Sequence, residues 1–151
     1  MNPRAWIALA LTCPWLAGCG VQAREVIDPS TGQRLERAEL SGGHLHGEFR
    51  TWYSDGRPRE QSQWEHGIPT GMRTRWHPTG HKAEEGTFVD GWRHGPWPTW
   101  RADGSAEWTG SWEGGARHGT WVLRDREGAV LETEQWERGT RVAHTSGAER
   151  P

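Results

Sequence analysis

Eight histidines, 20 acidic side chains and 12 tryptophans are the residues of this 151-residue chain whose types could do chemistry. His46, His94 and His118 share one phase of a 24-residue repeat, with Thr70 filling the fourth copy. On strands, members one repeat apart would lie two strands away, about 10 Å at ~4.8 Å per strand. Zinc holds its nitrogen ligands at about 2.0–2.1 Å, so neighbours in this column do not share an ion. His44 and His46 make at most half a site, and no metal site is expected. Glu60, Glu84 and Glu132 also occupy one column, as a solvated strand position would, and do not read as an acid pair flanking a cleft. The serines lack a nucleophile-elbow context, and no Gly-rich phosphate loop has the required spacing. Neither catalytic residues nor a cofactor are therefore expected, and the chain does not read as an enzyme. The indoles remain. Trp92 and Trp108 have no aromatic counterparts in the other repeats, and residues 92–112 hold five of the 12 tryptophans. Trp92, Trp97 and Trp108 are expected to form a contact surface for a partner loop or a sugar face.

A different chemistry is written at the N-terminus. Arg4 precedes an uncharged run from Ala5 to Ala17, which is too short to span a bilayer and fits a signal-peptide core. Leu16-Ala17-Gly18-Cys19 closes it, and this quartet resembles the lipobox of bacterial lipoproteins. The resemblance implies acylation of the Cys19 thiol, cleavage before it, and a firm membrane anchor carried by more than one hydrocarbon chain. Residues 1–18 would be the lipoprotein signal peptide and 19–27 a lipid-anchored tether. Gly20, where an Asp commonly retains such proteins at the inner membrane, implies the outer membrane, facing the periplasm. Cleavage also removes Cys13, so the mature chain has no second cysteine for a disulfide.

Elements that could present these residues follow from composition and periodicity. Hydrophobic residues are only 32% of the chain, while 21 Gly, nine Pro and 12 Trp point to short strands, tight turns and a few large aromatic contacts. The 18 basic and 20 acidic residues nearly cancel, which argues against nucleic acid as a partner. Gly47, Gly71, Gly95 and Gly119 are 24 apart, as are Gly56, Gly80, Gly104 and Gly128, and Gly67, Gly91, Gly115 and Gly139. Aromatic columns run in the same frame: Trp52, Trp76 and Trp100, with Arg124 in the last copy; Trp64, Phe88, Trp112 and Trp136; and Phe49, Trp97 and Trp121, with Arg73 as the exception. Each unit reads as a β-hairpin, since Asp-Gly and Thr-Gly between strand-like runs mark tight turns. Because 24 is even, each column returns to one face of the sheet, and neighbouring hairpins bury one another's rings. Trp97 and Trp100 differ in parity, so the three columns do not all fit one face; Pro98 between them suggests a bulge or bend.

The expected fold is all-β: an elongated single antiparallel sheet of stacked hairpins, with one partial and four full repeats over 28–141 and a disordered tail over 142–151. The pattern Gly-x-aromatic-x-x-aromatic, a Gly turn, then an aromatic three residues before another Gly resembles the MORN repeat in its longer bacterial form. That likeness covers about three quarters of the chain and implies a non-enzymatic interaction module. With the lipobox it implies a membrane-anchored protein of the bacterial envelope whose partner is another envelope protein. A peptidoglycan or surface polysaccharide bound through tryptophan, and an immunity or antitoxin-like role, are the alternatives.

Overall fold

The computed structural model describes Gly20–Gly147; residues 1–18, where a signal peptide is expected, and Cys19 lie outside these residues. Eleven strands follow one another: β1 Val21–Ile27, β2 Arg34–Ser41, β3 His44–Trp52, β4 Pro58–Glu65, β5 Ile68–Trp76, β6 Lys82–Val89, β7 Trp92–Pro96, β8 Trp108–Glu113, β9 Ala116–Arg124, β10 Val130–Glu137 and β11 Thr140–Ser146. Every strand pairs antiparallel with its sequence neighbours, giving one open sheet in the order β1 to β11 that does not close into a barrel. At ~4.8 Å between strands the ribbon is about 48 Å long.

Two kinds of turn alternate along its long sides. On one side five two-residue turns recur, Gly42-Gly43, His66-Gly67, Asp90-Gly91, Gly114-Gly115 and Arg138-Gly139. The first residue has φ of 48° to 58° and the second 81° to 83°. Positive φ at both central positions is the type I′ geometry that matches strand twist, and it explains the glycine at every second position. On the other side, longer turns carry the Gly56 column. There Tyr53 Oη donates to the Trp76 carbonyl at 2.7 Å, and His77 Nε2 donates to that of Trp100 at 2.7 Å. Arg101 donates likewise to Arg124, so three unlike side chains tie the three middle turns to the carbonyl 23 residues on.

The sheet exceeds the expected repeat bounds at both ends. Val21–Ile27, read as tether, is β1 and pairs along its length with β2. Val142 to Ser146, read as disordered tail, belong to β11. Both segments lack the glycine and ring columns, but an edge strand needs only one neighbour's ladder to be ordered. The 11 strands thus begin and end with the same kind, the one that follows a type I′ turn inside the sheet.

The three aromatic columns divide between the two faces, which resolves their parity. The front face carries the Phe49 and Trp64 columns in edge-on contact: Phe49 with Trp64 at 6.5 Å, Phe88 with Trp97 at 5.2 Å, and Trp112 with Trp121 at 5.6 Å between ring centres. The back face carries Trp52, Trp76 and Trp100. Near Pro98 the chain leaves the regular ladder, and isolated bridges, Glu84 to Thr99 and Trp100 to Ala106, with backbone hydrogen bonds such as Trp97 N–H to Gly110 O and Trp100 N–H to Ala83 O, both 2.9 Å, hold 97–107 in place.

Candidate functional site

The front-face stripe is built from pairs of residues 11 apart. Ala38, Ser62, Gly86, Gly110 and Glu134 form a column at the 24-residue spacing, and the first four lie beside the residue 11 further on, Phe49, Arg73, Trp97 and Trp121, whereas Glu134 pairs with His144. Trp97 is 1% exposed and Trp121 2%. They can lie flat only because the residues beneath have no side chain: a Cβ on Gly86 would overlap Cε3 and Cδ2 of Trp97, and one on Gly110 would overlap the Trp121 indole. The bulk of each pair is shared out differently. Ala sits with Phe, Ser with Arg, and Gly with Trp.

Arginines interleave with the rings. The Arg93 guanidinium lies 4.7 Å from the Trp97 ring centre and 5.0 Å from that of Trp112. Arg117, one repeat on, lies 4.2 Å from Trp121, 5.0 Å from Trp136 and 5.7 Å from Trp108. Such a cation over an indole contributes roughly 0.5–2 kcal/mol, more where water is excluded. At the end of the stripe Glu134, 5% exposed, accepts from Arg117 at 3.2 Å, Arg141 at 2.7 Å and Trp136 Nε1 at 2.9 Å. Burial alone would raise its carboxyl pKa. The hydrogen bonds from Arg141 and Trp136, with the charges of Arg141 and Arg117, outweigh that and hold it below the usual carboxylate value.

The three tryptophans expected to make a contact surface do not converge. Trp97 is core, which overturns its assignment to an exposed platform: the missing side chain at Gly86 draws its ring inward. Trp108 is half-buried in the same stripe, 6.3 Å from Trp121. Trp92 alone is open, at 62% exposure. Its neighbour Arg93 faces front, so Trp92 faces back, paired with exposed Val89 across the Asp90-Gly91 turn. One edge of its ring rests on Gly115 of the next turn, where a Cβ would strike Cε3. Ile68 packs in the same way on Gly91, so Ile68, Val89 and Trp92 form an exposed apolar row along the type I′ side.

The candidate acids and bases are spent on structure. Glu60 binds Arg73 at 3.1 Å, Glu84 binds Arg75 at 3.2 Å, and Glu132 faces His144 at 3.6 Å. His46 and His66 pack with their rings tilted and their centres 4.8 Å apart. Among the described residues no group of three or more His, Cys, Asp or Glu is placed to hold a metal ion. Periodicity alone did not reveal the Ala38 column, the Arg93 and Arg117 stacks, or the buried Glu134; the 24-residue spacing of Gly86 and Gly110 was the available signal. No protein-family model matches the chain, and neither does any curated protein.

Proposed function

We propose that this protein is a non-enzymatic, lipid-anchored scaffold of the bacterial envelope that binds a partner protein through the turn row centred on Trp92. The observation that carries the reading is the exposed indole of Trp92, seated on Gly115 and flanked by Val89 and Ile68 on a side of the sheet set by rigid two-residue turns. A preordered aromatic anchor with little rotamer freedom to lose is the kind of residue that dominates protein interfaces. The lipobox at Leu16 to Cys19 supports the anchor, and the 24-residue hairpin stack is the architecture that the MORN resemblance implies. Because β1 starts at Val21, an acylated Cys19 would leave roughly 7 Å of chain between lipid and sheet, at about 3.3–3.6 Å per residue. The ribbon would therefore stand at the membrane surface.

A photo-crosslinking amino acid at position 92, introduced into the full-length protein in intact cells, tests this. The expected result is one discrete crosslinked species that disappears when Ile68 and Val89 are both changed to Ser. A crosslinking pattern no different from that of the same probe at exposed Glu127 would remove the proposal.

A further inference from the structure

The back face carries a small cleft that the protein-binding reading does not use. It is lined by Trp52 and Trp76 with Arg50, Thr51, Pro58, Glu60 and Gln61. Its origin is visible when the repeats are compared. The Arg34 guanidinium covers Trp52, 18 residues on, at 5.8 Å, and Lys82 Nζ covers Trp100, also 18 residues on, at 5.9 Å. The intervening copy has Pro58 in place of the cation. Proline cannot reach over the ring, and among the described residues no cation stands over Trp76. Trp76 therefore has a bare indole face where its two column neighbours have a cover.

The polar groups around that face say what fits there. Arg34 and Lys82 each have a carboxylate partner, Glu25 at 3.1 Å and Glu85 at 2.5 Å. The counterpart of Glu85 at this cleft is Gln61, so an incoming cation would find no free counter-charge. An anion fares no better, because Arg50 is neutralised by Glu48 at 2.7 Å and Glu60 is held by Arg73. What remains are donors on the part-exposed guanidinium of Arg50 that Glu48 does not engage, and one acceptor, Gln61 Oε1, whose amide nitrogen is occupied with Glu48 at 3.0 Å. An apolar ring face beside fixed donors and a fixed acceptor, without net charge, matches a neutral sugar ring: its C–H face stacks on the indole while adjacent hydroxyls accept and donate. We propose that the Trp52–Trp76 cleft is a binding site for a neutral pyranose unit of a glycan, with Trp76 as its platform.

Full-length protein in detergent, titrated calorimetrically with soluble tetramers of N-acetylglucosamine and of glucose, decides the matter; tetralysine and tetraglutamate serve as charged probes. We expect saturable binding of at least one sugar and of neither peptide. Pro58→Lys installs the cover that Lys82 gives Trp100, and should weaken sugar binding at least ten-fold while leaving the sheet signal in circular dichroism intact. Trp76→Ala should do the same, whereas Trp100→Ala should not change affinity. The proposal is overturned if neither sugar binds, if Pro58→Lys binds as tightly as the parent, or if a charged peptide binds better than both sugars. Because Pro58 and Trp76 lie on the opposite long side from Trp92, crosslinking at position 92 can succeed or fail independently.

Discussion

The two halves of the front face solve one packing problem with different materials. Toward β1, Phe49 rests against Ala38, and Arg73 takes a ring's place beside Ser62, anchored by Glu60 at 3.1 Å. Toward β11, two indoles lie on bare glycine backbone at Gly86 and Gly110, with Arg93 and Arg117 slotted between rings. The first half is held by smaller rings and an ion pair, the second by aromatic area, of which one buried Trp removes about 150–250 Å² from water. What recurs every 24 residues is thus the summed bulk of two residues 11 apart, and a change at one member is tolerable only if the other compensates.

Four measurements would break or sharpen that contrast. The largest effect is expected from Gly110→Val, whose branched Cβ must displace Trp121; a loss on the order of 4 kcal/mol in chemical denaturation is expected, against about 2 kcal/mol for Ala38→Val. Equal losses would mean that the two halves are packed alike. Next comes truncation: Trp97→Ala should cost about 3–5 kcal/mol and Arg73→Ala about 1 kcal/mol, since part-exposed ion pairs contribute little. A double substitution tests the pairing rule. Arg73→Trp alone should destabilise by about 1–2 kcal/mol, because Ser62 occupies the ring's place and Glu60 loses its partner, while adding Ser62→Gly should recover at least half. A double mutant no more stable than the single one would show that the pair is not the unit of packing.

The smallest effect distinguishes the ends by pH. Glu134 has a folded pKa below the usual carboxylate value, so its ion pairs add stability that is fully present above the unfolded pKa and fades as pH falls through the folded one. Acid titration of stability should therefore be steeper below about pH 4.5 for the parent than for Glu134→Gln, and the substitution should loosen amide protection in β10 and β11 before that in β2 and β3. Identical acid limbs for the two proteins would assign the acid sensitivity elsewhere.

Much of this fold could be read from the sequence, for a physical reason. Turns that need positive φ select glycine by identity, so the Gly67 and Gly56 columns announce every hairpin, and an even period keeps each ring column on one face. Packing pairs select volume instead. Ala38, Ser62, Gly86, Gly110 and Glu134 look unrelated letter by letter, so the sequence does not announce that the glycine beneath Trp97 draws its ring into the core. The ties made by Tyr53, His77 and Arg101 were hidden in the same way, since a phenol, an imidazole and a guanidinium share only a donor. The edge strands β1 and β11 carry no ring column, and although the Gly139 turn leads into β11, neither strand's own residues repeat the pattern. Of the expected contact residues, Trp92 alone was legible as exposed, because its column otherwise holds His44, Ile68, Ala116 and Thr140, none of which a packed aromatic stripe requires.

Having an odd number of strands also bears on how these molecules meet one another. Each inner strand that follows a type I′ turn is flanked by two of the other kind, yet both rims of the ribbon are of the first kind. Two copies laid end to end through these rims would set like against like, a pairing that no ladder among the described strands uses, so edge-to-edge association would need a register that the repeat itself does not supply.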